Sequence, residues 1–584
     1  MLELLSIIVL AIIVIGVLIK EYIREKKSNS KANNELNNIK QTNTKQYKNK
    51  EIVNNKNSEN KKSAIDEFCN KHYKKIWIVF AIILFITVIY KFGEIPTYMS
   101  VDEAGMAYDA YCLAEYGTDR YGNSYPLYLT NFGGGQSALN GYLIAFFIKI
   151  FGPSMIIYRL PTLLIYLMSV IVSYLLISKA KNKKTALLLT FFIITCPWNI
   201  YNARTAMDCN LYAGLFMLTL YLMDKAKKNY QYILAGISAG VSLYTYCLSW
   251  ISMPIFLAVW AIYMLYIKKI KIRQLILFAI PIAILAAPLI YFILLNYGIV
   301  EQTQIGIFTL PVLSEFRVNE IGLSNWVATS LESLKTIFFS SGTIYLVYVP
   351  LFIFGYVLEW KQCIKEIKNK EYGISTVMII AFTTILVGLL TTRIPTANKA
   401  NVLYIPILYF VTIGILKIVQ ESKAILITFI IMISILCAQY TYYYYTSIGL
   451  NISDWYQNDG LAEITRTIEN DEEAKEMKKY ILVYTNGPDI YTILELKLSP
   501  EEFANDIEYK YYYGTLKRTA KVRNYNYLYT DKEVLNIDLN KDDYIFIVSN
   551  EYTYTIDYLL ENGYTATDYK YYKILTKGEV LEIE

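Results

Sequence analysis

Long runs without a charged residue, at 76–90, 275–295 and 424–438, decide first what this chain can fold into. A helix rises 1.5 Å per residue, so about 20 apolar residues cross a hydrocarbon layer of roughly 30 Å. No water reaches that layer. The backbone must therefore satisfy its own hydrogen bonds, and runs of this kind must be helical. With 55% hydrophobic residues among 584 and a mean hydropathy of +0.30, the chain is too apolar for a water-soluble globule. It reads as a polytopic α-helical membrane protein.

The net charge of +6 would suggest nucleic acid in a soluble protein, but the excess lies beside the apolar runs, as cytoplasmic loops require. No nucleic-acid partner is expected. Seven scattered cysteines form no CxxC pair, so neither a zinc site nor a disulfide framework is indicated. The single histidine, His72, sits in a basic stretch ahead of a span. Histidine-dependent triads are excluded, and a His-ligated metal has nothing to build on. Gly133-Gly134-Gly135 lacks the strand and the GK[ST] ending of a phosphate loop.

Residues 1–20 hold an apolar stretch with no basic residues before it and no small-residue cleavage site after it, which reads as a retained membrane anchor. Residues 21–75, rich in Lys and Asn, are expected to be a disordered, basic, cytoplasmic linker. The positive-inside rule orders the rest. A span at 76–92 leads to an outer loop, 93–155, in which the short apolar stretch 138–151 reads as a juxtamembrane or re-entrant helix. A span at 156–178 returns to the Lys179, Lys181, Lys183 and Lys184 cluster. Further spans are expected at 185–200, 206–224, 231–249, 250–267, 274–295, 343–360, 373–390, 401–418 and 424–440, with a second outer loop at 296–342. The expectation is an anchor helix plus about eleven spans, with residues 76–446 as the membrane domain. Beyond it, strand-like 480–484 and 544–548 alternate with helical 551–562, so 447–584 reads as an extracytoplasmic α/β domain.

Polar outliers gather at one end of the spans. Asp102 and Glu103 follow the first span, and Asp109 lies seven residues after Asp102, on the same helical face. A carboxylate at the boundary of water and membrane suits proton abstraction from a hydroxyl, while acidic residues also simply favour helix starts. Arg204 and Asp208 share one helical face, and Arg159 stands near the outer end of a span. Such cations also serve as interfacial anchors. The last outer loop carries Arg393 and Lys399 against the positive-inside trend, which suits an anionic phosphate.

Asp102-Glu103, Tyr108-Asp109-Ala110-Tyr111, Phe151-Gly152, Arg159-Leu160-Pro161, Pro197-Trp198-Asn199 and Arg204-x-x-x-Asp208 occur in that order. The ordered set resembles the GT-C superfamily of membrane glycosyltransferases, in particular the protein O-mannosyltransferase-like group that includes the aminoarabinose transferases (glycosyltransferase family 39). The specific likeness covers 102–223. It implies a GT-C-like fold and transfer from a polyprenyl-phosphate sugar to a protein, glycan or lipid acceptor on the outer face of the cell membrane. It also implies Asp102 as the catalytic base beside Glu103, and direct, inverting displacement. The leaving phosphate would meet Lys399, Arg393 and one of Arg204 or Arg159, with Asp208 orienting Arg204 or holding sugar hydroxyls. No cofactor is required, although Asp102, Glu103 and Asp208 offer oxygen ligands for a divalent metal. The competing reading is a transporter or flippase of lipid-linked sugars or polysaccharide, which would place ionisable residues near the membrane midplane.

Overall fold

A computed structural model describes residues 64–131, 134–301, 303–340, 342–393, 396–419, 423–448, 460–483, 487–513, 516–541 and 543–578. The expected anchor and most of the expected linker lie outside these residues. Helix α1 (Ala64–Leu84) already begins within the stretch read as linker, and runs on through a π-helical turn, Phe85–Ile89.

An irregular segment then leads to α2 (Val101–Tyr116). Ser100 caps this helix, its Oγ accepting from the Glu103 N–H at 3.1 Å, and the acidic first turn complements the helix dipole. Gly117, at φ +72°, ends it in the left-handed region that glycine enters without strain. A two-stranded hairpin, β1 (Tyr128–Leu129) and β2 (Gln136–Ser137), runs into α3 (Ala138–Phe151), the short apolar helix anticipated from hydropathy.

The membrane helices follow as α4 (Met155–Ala180), α5 (Lys183–Thr195), α6 (Pro197–Asn202), α7 (Asn210–Lys225), α8 (Asn229–Ser242), α9 (Ser249–Tyr266) and α10 (Ile272–Asn296). The second long loop contains a hairpin, β3 (Gln304–Ile305) with β4 (Phe308–Thr309), and an amphipathic helix, α11 (Asn325–Phe339). Four more helices complete this part: α12 (Tyr348–Asn369), α13 (Ile374–Leu390), α14 (Tyr404–Val419) and α15 (Lys423–Tyr443). The two long loops meet, because the Leu127 N–H donates to Thr309 O at 2.9 Å and the Thr309 N–H to Ser124 O at 3.0 Å.

Among the described residues, six helices are long and apolar enough to cross a membrane, or seven if the pair α12–α13, bent by 118°, counts as one span. That is fewer than the eleven expected after the anchor, and backbone chemistry explains part of the difference. Cys196 precedes Pro197 and is extended (φ −71°, ψ 123°), so the run read as a span at 185–200 is cut after Thr195. The run at 206–224 becomes helical only from Asn210. Hydropathy registers an apolar run whether or not its backbone is continuous.

The C-terminal part is an α/β unit. A seven-stranded sheet has the order β10 (Thr565–Tyr569), β11 (Tyr572–Thr576), β9 (Tyr544–Ser549), β5 (Lys478–Leu482), β8 (Tyr525–Leu528), β7 (Leu516–Val522), β6 (Ile507–Tyr513). Central β5 is parallel to both β8 and β9, and the flanking pairs are antiparallel. The unit seats on α2 through two buried bonds: Tyr108 OH donates to Leu498 O at 2.9 Å, and Tyr491 OH to Met99 O at 2.8 Å. It therefore lies on the same side of the membrane domain as Asp102.

Helix α14 is the most enclosed candidate span, its window 83% buried against 17% for peripheral α10. It approaches α12 through two glycines. A Cβ on Gly355 would collide with the Phe410 carbonyl, and one on Gly414 with the Leu351 carbonyl. Small residues permit such backbone contact between membrane helices. Gly355→Val should cost more than the roughly 1–3 kcal/mol typical of an overpacked core, because the obstacle is backbone. The check is the thermal midpoint and monodispersity of the purified protein; an unchanged midpoint would refute this close packing.

Candidate active site

The hairpin β1–β2 gathers the site. Asn131, in its turn, donates from Nδ2 to Asp102 Oδ1 at 3.1 Å, and Gln136 donates from Nε2 to the Asp102 carbonyl at 3.1 Å. The next residue, Ser137, gives its backbone N–H to Asp208 Oδ2 at 3.0 Å, while Asp208 Oδ1 accepts from the Cys209 N–H at 2.7 Å. One short ribbon thus holds the start of α2 against the segment before α7. Asn140 adds a bond to the Ala206 carbonyl at 2.8 Å. Asp102 is half-buried, whereas Asp208 is buried.

Glu103 and Arg159 come together instead as a buried ion pair, Nε to Oε1 at 2.8 Å, with both side chains almost wholly removed from solvent. Glu103 Oε1 also accepts the Ala206 N–H at 2.8 Å. The remaining Arg159 donors reach the carbonyls of Pro96 and Tyr98 at 2.9 and 3.0 Å. Arg204 is fully buried and donates to the carbonyls of Val88, Tyr90, Lys91 and Ile95 and to Tyr445 OH. Asp109 grips Arg120 in a bidentate pair, 2.8 Å to each carboxylate oxygen. The shared helical face of Asp102 and Asp109 therefore does not make one site; Asp109 organises the loop through a residue eleven positions on.

Arg393 and Lys399 belong to the connection between α13 and α14. Arg393 is exposed, and Lys399 lines a small cavity of about 30 Å³ with Tyr246, Cys247 and Thr392. Asn401, just beyond Lys399, ties this connection to the carboxylate segment. Its Nδ2 donates to Asn210 Oδ1 at 3.0 Å and to the Cys209 carbonyl at 3.4 Å. Among the described residues, no group of three or more His, Cys, Asp or Glu side chains is placed to hold a metal ion.

This arrangement of a loop carboxylate, a second carboxylate at a helix start and a cationic loop tied to the Asp208 segment sits at the ends of apolar helices. Residues 136–292 match the family described as dolichyl-phosphate-mannose-protein mannosyltransferase. The match includes Arg159, Arg204 and Asp208, while Asp102 and Lys399 lie outside it. Over that segment, about a quarter of its length, the chain is similar to this family of glycosyltransferases. Among solved structures, the chain is similar in fold to ArnT from Cupriavidus metallidurans bound to undecaprenyl phosphate. Identity is 13%, coverage is 86% of this chain and 98% of that one, and the TM-score is 0.50. ArnT in the apo state matches at 12% identity, 86% and 97% coverage and a TM-score of 0.48. The archaeal oligosaccharyltransferase AglB from Archaeoglobus fulgidus, in complex with an inhibitory peptide and a dolichol-phosphate, matches at 11% identity. That match covers 73% of this chain and 64% of AglB, with a TM-score of 0.43. No curated protein matches the sequence.

Sequence reading missed Asn131, Gln136, Ser137, Asn140 and Asn401. None carries a charge, and their roles depend on partners far away in the chain. Arg120 alone left a trace, as one of the few cations in an acidic loop.

Two outcomes follow. Glu103→Ala should lower stability by about 3–5 kcal/mol, because it leaves the Arg159 charge buried without its partner, whereas Asp102→Asn should leave the thermal midpoint nearly unchanged. Equal midpoints for the two variants would contradict this division of roles. The second outcome concerns Asp119 in the outer loop, whose Oδ1 accepts the N–H groups of Tyr121 and Asn123 at 2.9 Å. Burial, and then the Asp109 charge, raise its carboxyl from 3.8 to about 6. Between those values the unfolded chain has lost the proton that the folded chain still holds, so stability should fall as pH rises through this window. The loss is on the order of 2–3 kcal/mol, and should be smaller in Asp119→Asn when midpoints are measured from pH 4 to 7.

Proposed function

We propose that the protein moves a sugar from a polyprenyl-phosphate donor to an acceptor hydroxyl at the outer face of the cell membrane. The carrying observation is Asp102: it is half-buried at the start of a capped helix, held by Asn131 and Gln136, while Glu103 beside it is committed to Arg159. A base must reach its substrate from a fixed position, and Asp102 combines access with restraint.

In this reading the Asp102 carboxylate takes the proton of the acceptor hydroxyl as its oxygen bonds to the anomeric carbon. The bond from that carbon to the phosphate oxygen breaks, and the prenyl phosphate leaves with the electron pair. Attack opposite the leaving group inverts the anomeric centre. Lys399 and Arg393 face the developing phosphate charge, which preorganised cations stabilise by several kcal/mol. Arg159 and Arg204 act as positioning residues, since their donors are spent on Glu103 and on backbone carbonyls. Asp208 receives sugar hydroxyls. ArnT, similar in fold, was solved bound to undecaprenyl phosphate, which fits a prenyl-phosphate donor. A mannosyl donor is suggested by the description of the matched family. The flippase reading does not have the family match in its favour.

The test is turnover of a panel of polyprenyl-phosphate sugars by purified protein in lipid. Asp102→Asn should lower kcat by about 10²–10⁴-fold, the usual share of a general base, with prenyl-phosphate binding retained. Lys399→Gln should weaken both binding and turnover. Undiminished turnover in Asp102→Asn would reject Asp102 as the base, and flipping without transfer would reject the transferase mechanism.

A further inference from the structure

Helix α4 carries Arg159 near one end and Lys179 near the other, twenty residues and about 30 Å away along a helix. Helix α7 likewise begins just after Asp208 and ends beside Asp224. The far ends of these helices therefore lie at the opposite membrane face from the candidate active site. There, between helix ends, is a cavity of about 570 Å³. Ligand pockets commonly span about 300–1,000 Å³.

Four lysines reach this cavity from separate positions: Lys179 on α4, Lys181 after it, Lys227 between α7 and α8, and Lys269 between α9 and α10. Lys179 is neutralised by Asp224 at 2.7 Å, and Lys181 by Glu359 at 3.2 Å. Glu366 also lines the cavity, but its carboxylate is engaged by the Thr376 N–H and hydroxyl at 3.0 and 2.7 Å. Lys227 and Lys269 are exposed and form no ion pair among the described residues; the Lys269 ammonium lies 5.3 Å over the Tyr372 ring. Met223 and Met264 supply apolar wall. The result is a recess lined by two lysines that form no ion pair among the described residues, Lys227 and Lys269, with apolar surface beside them.

We propose that this cavity is a second ligand site that binds a phosphate group, with Lys227 and Lys269 as its principal cations. Phosphate monoesters and diesters match paired ammonium donors, and basic pockets between membrane helices suit lipid head groups. The phosphate belongs either to an anionic phospholipid of the adjoining leaflet or to a free phosphate in solution. The site involves none of the residues assigned to transfer, so it stands or falls separately from the proposed function.

The experiment uses the full chain and reads binding rather than transfer. Protein reconstituted in mixed phosphatidylcholine and phosphatidylglycerol is released into native mass spectrometry. In parallel, thermal midpoints are measured in detergent with inorganic phosphate and with sulfate-free chloride at matched ionic strength. Wild type should retain phosphatidylglycerol, and the double variant Lys227→Gln/Lys269→Gln should retain at least tenfold less. The exposed control Lys225→Gln should behave as wild type, and Lys227→Arg/Lys269→Arg should restore retention. Phosphate that raises the wild-type midpoint but not that of the double variant, without lipid retention, would assign the site to free phosphate. Should the double variant not fold, each single variant is read in the same way, with a loss of at least threefold expected. Lipid retention and phosphate response that are both indifferent to Lys227 and Lys269 would overturn the proposal.

Discussion

Where the first span ends, six backbone carbonyls, those of Val88, Tyr90, Lys91, Ile95, Pro96 and Tyr98, accept hydrogen bonds from two buried guanidinium groups. A helix always leaves its last carbonyls without partners, and at a membrane boundary water is a poor remedy. Arginine carries five donors in a rigid fork, which lets one side chain serve several carbonyls at once. Arg204 also sits at the negative end of the helix dipole of the first span, and its guanidinium lies 5.5 and 5.2 Å from the Tyr444 and Tyr445 rings. The end of the first span and the end of the last thus close on one cation.

That closure determines where α2 begins. Arg159 takes the carbonyls just before the helix and the Glu103 carboxylate within its first turn, so chain direction and helix rotation are set together. The C-terminal unit fixes the same region from the other side, through Tyr491 on the Met99 carbonyl and Tyr108 on Leu498. Asp102 therefore stands on a helix held at its entry by the membrane domain and along its face by the α/β unit. The hairpin carrying Asn131, Gln136 and Ser137 then closes the third side.

The sequence made the class of fold readable because hydrocarbon admits so few backbone solutions. Its acidic pair Asp102 and Glu103 fits the preference of such residues for helix starts, since both lie in the first turn of α2. What it concealed are interactions with no local period. Glu103 and Arg159 are 56 residues apart, and Asn401 reaches Cys209 across 192. An arginine that binds phosphate and one that binds carbonyls look identical in a sequence, as Arg204 illustrates. The break after Thr195 was visible in Pro197, but an apolar average smooths over a proline.

The adjacent acids Asp102 and Glu103 show how one helix turn separates structure from chemistry. Neighbouring residues on a helix point about 100° apart, so two carboxylates side by side in sequence cannot face the same partner. Glu103 turns inward, where the longer side chain reaches Arg159 and also meets the Ala206 N–H. Asp102 turns toward the hairpin and keeps some exposure, with the shorter side chain leaving less freedom once Asn131 has bonded to it. A buried pair would make a poor base, because withdrawing its proton acceptor from Arg159 costs the compensation of a buried charge. The same burial that disqualifies Glu103 gives Asp102 a fixed platform, and chemistry at the neighbouring position depends on that rigidity.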